Sequence, residues 1–200
     1  MVTVYRRRLP HWRQHGATYF VTFRLGDSLP QEKLELLRQE KEEWMRQHAH
    51  PTEAEWAKHS ESIMAKVEQW LDQGQGSCLL AQPGLAAALD RVLPHFEGQR
   101  YWLFGYVVMP NHIHAVVRPR ENCAPESILQ SWKRFSAVEI NRAAGRQGPL
   151  WQEETFDRIV RDTAHLRKVI RYLQKNQSQC PAARLWLIPE WTAWLAGTGG

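Results

Sequence analysis

The stretch 101–117, YWLFGYVVMPNHIHAVV, decides the fold. Residues 101–108 are rich in aromatic and β-branched side chains and read as a strand. Pro110-Asn111 is a turn-favouring pair, and the apolar run 115–117 leads away from it. If this second run is a strand, its side chains alternate between faces. His112 and His114 then share one face, while Ile113, Ala115 and Val117 share the other and point toward a core. Two imidazoles held side by side on a rigid strand are half of a metal site. The plainer alternative is a pair of strand-edge histidines satisfied by water or backbone.

Outward from this hairpin, the chain alternates between strand and helix patterns. Residues 18–25, TYFVTFRL, read as a strand ended by Gly26-Asp27. Residues 31–49 carry a loose apolar stripe of Leu34, Leu37, Trp44 and Met45. Pro51 breaks that helix, and Thr52 to Glu55 form a capping box for the next. The second helix shows Trp56, Ile63, Val67, Trp70 and Leu71 at helical spacing and stops at Gly74 to Gly76. The pair reads as a helical hairpin inserted at about 31–72. Pro83 opens a helix that closes by Pro94 or Gly98. Pro125-Glu126 opens another, with Ile128, Leu129, Trp132 and Phe135 inward and Gln130, Lys133 and Arg134 outward. Residues 155–160 form a candidate strand. Asp162 caps a helix reaching about Asn176, whose Leu166, Val169, Ile170 and Leu173 make a buried stripe. At about 100° per residue, His165, Tyr172 and Asn176 fall on one line along its flank. From residue 181 the chain is Trp-rich and irregular. The expected organisation is a basic arm over 1–15, one domain over 16–180 and a tail over 181–200. This order predicts an α+β, ferredoxin-like (RRM-like) antiparallel sheet with packed helices and a helical insertion after its first strand.

The totals suit one domain with an insertion: 200 residues, 43% apolar and 24% charged. A net charge of +5 favours an anionic partner, nucleic acid first. Residues 5–15 interleave aromatics with Arg6, Arg7, Arg8 and Arg13, which reads either as an arm pairing with phosphates or as a solvated terminus. Lys133 and Arg134 are further candidates for a DNA backbone. Three dispersed cysteines give no disulfide framework or Cys-x-x-Cys site, which fits a reducing cytoplasm. No apolar run approaches the ~20 residues of a membrane span, so no membrane partner is expected.

Should the flank of the last helix approach the histidine pair, the Asn176 oxygen adds a third ligand to the two imidazole nitrogens. Mixed N and O ligands with open positions suit Mg²⁺ or Mn²⁺ on a phosphate, with Zn²⁺ chemically possible. Tyr172, one turn before Asn176, would be the nucleophile. The alternative is a half-buried tyrosine whose hydroxyl finds a surface partner.

Met109-Pro110-Asn111-His112-Ile113-His114 is followed by SWKRFS (131–136), LWQ (150–152), FDRIVRD (156–162) and RYLQKN (171–176). Together, over about 16–176, these resemble the REP-associated tyrosine transposases, single-tyrosine relatives of the IS200/IS605 transposases in the HUH nuclease superfamily. The resemblance implies an HUH nuclease core. His112 and His114 match the metal-binding pair, Tyr172 the nucleophile, and Asn176 the polar residue completing the metal site. It implies cleavage of single-stranded DNA next to a hairpin, leaving a 5′-phosphotyrosine and a free 3′-OH that can rejoin strands, by a monomer or homodimer. The chain departs from the family after Asn176, reading Gln-Ser-Gln-Cys-Pro-Ala where the family continues Pro-Val-Lys-Ala-Gly-Leu. The 31–72 segment also lies outside the minimal core. Two other readings stand beside this one: a catalytically silent hairpin-DNA-binding protein derived from a transposase, and a ferredoxin-like RNA-binding protein whose aromatics stack bases.

Overall fold

The computed structural model describes residues 2–6 and 10–197, with side chains described from Arg13 onward except that of Glu53. Strands β1 (Val2–Arg6) and β2 (Pro10–Gln14) form an antiparallel hairpin. Then come β3 (Thr18–Arg24), α1 (Gln31–Gln47), α2 (Glu53–Leu71), a 3-10 turn at Leu79–Ala81, and α3 (Pro83–Val92). The chain continues through β4 (Tyr101–Val108), β5 (His112–Pro119), α4 (Pro125–Ala143), β6 (Phe156–Val160), α5 (Thr163–Gln179), β7 (Arg184–Leu187) and α6 (Pro189–Leu195).

Among the described residues, the main sheet has five strands in the order β6-β3-β5-β4-β7, and every pairing is antiparallel. Within β3-α3-β4-β5-α4-β6, the spatial order is fourth, first, third, second strand. This is the ferredoxin-like layout, so the expected fold class holds. All seven residues of β3 are buried, because both faces of the sheet are covered. Tyr19, Val21 and Phe23 join Ile113, Ala115 and Val117 beneath α3 and α4. Phe20, Val107 and Val116 lie on the other face, beneath Val169, Ile170 and Leu173 of α5. The register sets Thr22 opposite His114 and Arg24 opposite His112.

The insertion after β3 folds as expected. Thr52 and Glu55 form the reciprocal capping box at the start of α2. Trp44 stacks on His59 at 4.3 Å between centroids, and Lys66 pairs with Glu40 at 2.5 Å, which sets α1 and α2 antiparallel. Ile63, Met64, Val67 and Leu71 pack with Leu29 and Phe156, anchoring this hairpin to the β6 side of the sheet. Asp162 caps α5 by accepting from the His165 amide at 2.7 Å. Without the family's proline after Asn176, α5 runs on to Gln179.

Three readings need correction. The basic arm includes a strand hairpin, because β1 and β2 satisfy each other's backbone groups. The tail read as irregular carries regular elements within its described residues, up to Gly197: β7 extends the sheet at β4, and α6 follows. β7 approaches so closely that a Cβ on Gly105 would lie 3.1 Å from the Trp186 carbonyl oxygen and closer still to the Leu187 side chain. Glycine is required there. Finally, Phe135 points outward and is 51% exposed, because the inward stripe of α4 continues through Ser136 and Ile140.

Candidate active site

The Pro110-Asn111 turn closes the β4–β5 hairpin, and the Met109 amide donates to the His112 carbonyl at 2.8 Å. His112 and His114 emerge from β5 on the α5 face, 1% and 0% exposed. Their Nε2 atoms lie 3.0 Å apart. Burial pushes His112 down to about 3. Burial also holds His114 well below the usual histidine range, assisted by the neighbouring His112 and Arg158. Both rings are therefore neutral at neutral pH, the form that ligates metals.

The hydrogen-bond network fixes the His112 tautomer. Asn111 Nδ2 donates to the carbonyls of Leu71 and Gln75, each at 3.1 Å. Its Oδ1 faces His112 Nδ1 at 2.8 Å. An amide oxygen only accepts, so His112 carries its proton on Nδ1 and keeps a lone pair on Nε2. His114 Nδ1 meets Thr22 Oγ1 at 2.7 Å, and a hydroxyl can donate or accept. Because His112 Nε2 is unprotonated, the 3.0 Å contact puts the His114 proton on Nε2, with Nδ1 accepting from Thr22; ligating a metal through Nε2 needs that proton on Nδ1, where the Thr22 hydroxyl can accept it. Each ring is held at Nδ1 so that Nε2 is presented, the arrangement that orients metal-bound imidazoles.

Helix α5 brings Tyr172 to this pair. Its hydroxyl lies 3.4 Å from His114 Nε2, and Phe20 packs edge-on to it while stacking on His114 at 5.3 Å. The Tyr172 hydroxyl is pushed above the usual tyrosine range, first by burial and then by the charge of Glu68, while hydrogen bonding from Asn176 opposes the shift. Asn176 is 5% exposed and donates Nδ2 to the Tyr172 carbonyl at 2.9 Å, which leaves its Oδ1 to accept or to ligate. Among the described residues, no three His, Cys, Asp or Glu side chains form a metal cage. A divalent ion here would rest on the two imidazoles and oxygen ligands such as Asn176 Oδ1. The two Nε2 atoms and the amide oxygen fit such an ion chemically.

The other expected contacts are placed differently. Arg7 and Arg8 lie outside the described residues, and only the backbone of Arg6 is described. Arg13 pairs with Glu126 and with Asp157, the latter at 2.6 Å, so the fold itself engages it. Lys133 donates to the Gln152 and Glu153 carbonyls at 2.8 and 2.9 Å and to Thr155 Oγ1 at 2.7 Å. It holds the loop before β6 and does not project freely outward. Arg134 is exposed, over the Phe135 ring. His165 is turned away, with Nδ1 accepting from the Arg161 amide at 3.3 Å.

Sequence reading missed Thr22, Glu68 and Arg158. Thr22 had a signal: it is a polar residue on the alternation that includes Phe20 and pairs with His114. Arg158, whose guanidinium lies 4.7 Å above the Phe20 ring, sits on the same face of β6. Glu68 had none, since a carboxylate beside an apolar helical stripe usually faces water.

Residues 92–176 match the family Transposase IS200 like. This stretch contains both histidines, Tyr172 and Asn176, and it bears out the resemblance read from the motifs. A solved structure described as a REP-associated tyrosine transposase bound to a REP hairpin is similar to this chain. It shares 16% identity, covers 88% of this chain and 72% of its own, and has a TM-score of 0.46. No curated protein sequence matches. No helix among the described residues is long and apolar enough to cross a membrane.

Proposed function

We propose that this transposase-like chain is a metal-dependent single-stranded DNA endonuclease and strand transferase. In this reading it cuts next to a DNA hairpin through a 5′-phosphotyrosine on Tyr172. One observation carries the reading: the Tyr172 hydroxyl lies 3.4 Å from an Nε2 that is itself 3.0 Å from a second Nε2. A nucleophile and a presented pair of neutral imidazoles thus meet at one point, on helix and strand and not on loops. The hairpin substrate rests on the motif resemblance over 109–176.

A bound Mg²⁺ or Mn²⁺ would supply Lewis-acid polarisation of the scissile phosphate. The chain's own residues do the rest. His112, His114 and the Asn176 oxygen would hold the ion. Asn111 and Thr22 would keep the two rings from rotating. The neutral Tyr172 hydroxyl attacks phosphorus in line, and the P–O3′ bond breaks to release a 3′-OH. The covalent link conserves the phosphodiester energy, so the released 3′-OH can reverse the attack and rejoin strands.

The test is a nicking assay on single-stranded hairpin DNA with Mn²⁺. Wild type should give nicked strand and a protein–DNA adduct that survives denaturation. His112→Ala and His114→Ala should give neither while remaining folded, at a melting temperature lowered by loss of a buried ring. Binding without nicking by the wild type would instead support a silent hairpin-binding protein.

A further inference from the structure

A cleft of about 960 Å³ opens between the helical insertion and the β3–β6 part of the sheet. Leu34, Leu37, Met45, Ile63 and Phe156 give it apolar sides. Three polar side chains interrupt them: Arg24, Trp56 and Glu154. Each has a buried atom with no hydrogen-bond partner among the described residues, namely Arg24 Nε, Trp56 Nε1 and Glu154 Oε1. Arg24 and Trp56 are only 4% and 8% exposed. Buried polar atoms are normally paired, so three orphans around one cleft point to a ligand that pairs them. The donors are held in place. Arg24 Nη1 donates to Ser28 Oγ at 3.1 Å, and Ser28 Oγ donates to the Leu25 carbonyl at 2.8 Å. Trp44 packs on Trp56 with ring centroids 4.5 Å apart. Arg24 also ties the cleft to the histidine pair. It stands opposite His112 in the β3–β5 register, on the same face of β3 as Thr22, which meets His114.

The donors and the acceptor together select the occupant. A phosphate or carboxylate would suit Arg24 and Trp56 but be repelled by Glu154. A cation would suit Glu154 but be repelled by Arg24. A purely apolar group would leave all three atoms unpaired. A flat ring with acceptors and N–H donors along its edges satisfies every one of them between apolar walls. We propose that this cleft takes one unpaired guanine from the single-stranded DNA beside the hairpin. Guanine alone among the four bases carries two adjacent acceptors and two adjacent N–H donors. Arg24 donates to O6 and N7, Glu154 accepts from N1–H and N2–H, and Trp56 donates to N3. A guanine inside a duplex has its N1–H and N2–H already paired, so the cleft selects a single strand. Since Arg24 is one strand away from His112, the base read belongs to a nucleotide near the scissile phosphate. The proposal rests on the single-stranded DNA reading above and gives the insertion a part in choosing where the strand is cut.

The experiment measures affinity, by fluorescence anisotropy, for a DNA hairpin with thymine flanks in which a single guanine is moved position by position. Tyr172→Phe serves as the background, so cleavage does not enter. At one position the guanine should tighten binding about tenfold to a hundredfold over the all-thymine flank. Adenine, cytosine or an abasic site there should lose that gain. Arg24→Met, which keeps the stem and removes the donors, should also lose it, with affinity for the all-thymine hairpin unchanged. Glu154→Ala, at a partly exposed residue, should do the same and tests the cleft even where Arg24→Met folds poorly. A guanine gain absent at every position, or one that survives Glu154→Ala, would overturn the proposal. Equal loss of all-thymine affinity in folded Glu154→Ala would overturn it too, because a general DNA surface reads no base. Wild type that nicks without base preference sinks this proposal alone. Guanine-dependent binding by a wild type that never nicks sinks the tyrosine-nuclease reading alone, and a chain that binds no hairpin sinks both.

Discussion

Thr22 Oγ1 stands 2.7 Å from His114 Nδ1, across the β3–β5 pairing that sets the two residues opposite each other. One hydroxyl on a neighbouring strand therefore controls which face of the His114 ring is available. Thr22→Val keeps the β-branched shape and removes that partner. Stability should fall by about 1–3 kcal/mol, the cost of an unpaired buried polar group. Mn²⁺ affinity should fall about 10–100-fold. Calorimetric metal titration and thermal melting of the variant measure both, and an unchanged Mn²⁺ affinity would refute the orienting role of Thr22.

Acid should weaken the fold through the same pair. Both imidazoles are buried and neutral, with His112 down to about 3 and His114 well below its usual range. The unfolded chain, with histidines near ~6.5, binds more protons between that value and the folded ones. Stability contributed by the neutral pair is complete above about pH 6.5 and is lost as pH falls below it, by about 1.4 kcal/mol per pH unit for each histidine. Melting temperature measured from pH 7.5 to 5 should drop more steeply in wild type than in a His112→Gln, His114→Gln double variant. Parallel curves would mean that the pair does not resist protonation.

Tyr172→Phe removes one oxygen and leaves the packing of the ring against Phe20 in place. Melting temperature and hairpin affinity should persist, while the denaturation-resistant adduct disappears. Adduct formation by Tyr172→Phe would move the nucleophile elsewhere in the chain.

The candidate phosphate contacts should separate into two groups. Arg134→Ala should reduce the slope of log affinity against log salt by about 1, with the fold unaffected. Arg13→Ala should mainly destabilise, by about 1–3 kcal/mol, because Asp157, with a side chain only 1% exposed, loses an ion-pair partner. Salt titrations of hairpin binding and chemical denaturation distinguish the two. A reduced salt slope at full stability in Arg13→Ala would restore it as a DNA contact.

The sheet and its histidine pair were legible because period-two patterning survives in β3, β4 and β5 and because Pro110-Asn111 marks the turn. The helices were legible from their start signals: Thr52 and Asp162 cap α2 and α5, and Pro83 and Pro125 open α3 and α4 as their first residues. The β1–β2 pairing was obscured by the charge of this stretch, since a basic sequence looks like a solvated arm. β7 was obscured by its length of four residues and by the Trp-rich sequence around it. Lys133 shows a deeper limit. Pattern places a charged residue beside an apolar stripe but does not say what stands opposite. Lys133 meets the carbonyls of Gln152 and Glu153. Those partners lie 19 and 20 residues away, across tertiary contacts that no local period encodes.

The bridge from the Leu71 and Gln75 carbonyls through Asn111 to His112 makes two events thermodynamically reciprocal. Whatever favours the presented orientation of the His112 ring also favours the docked position of the α2 end, by the same free energy in both directions. Undocking α2 would release the Asn111 amide, and with it the constraint on the His112 tautomer. A ligand seated on the two imidazoles should therefore slow amide hydrogen exchange over 63–75. The Asn111 side chain bonds that segment, at the Leu71 and Gln75 carbonyls, to the turn that leads into β5.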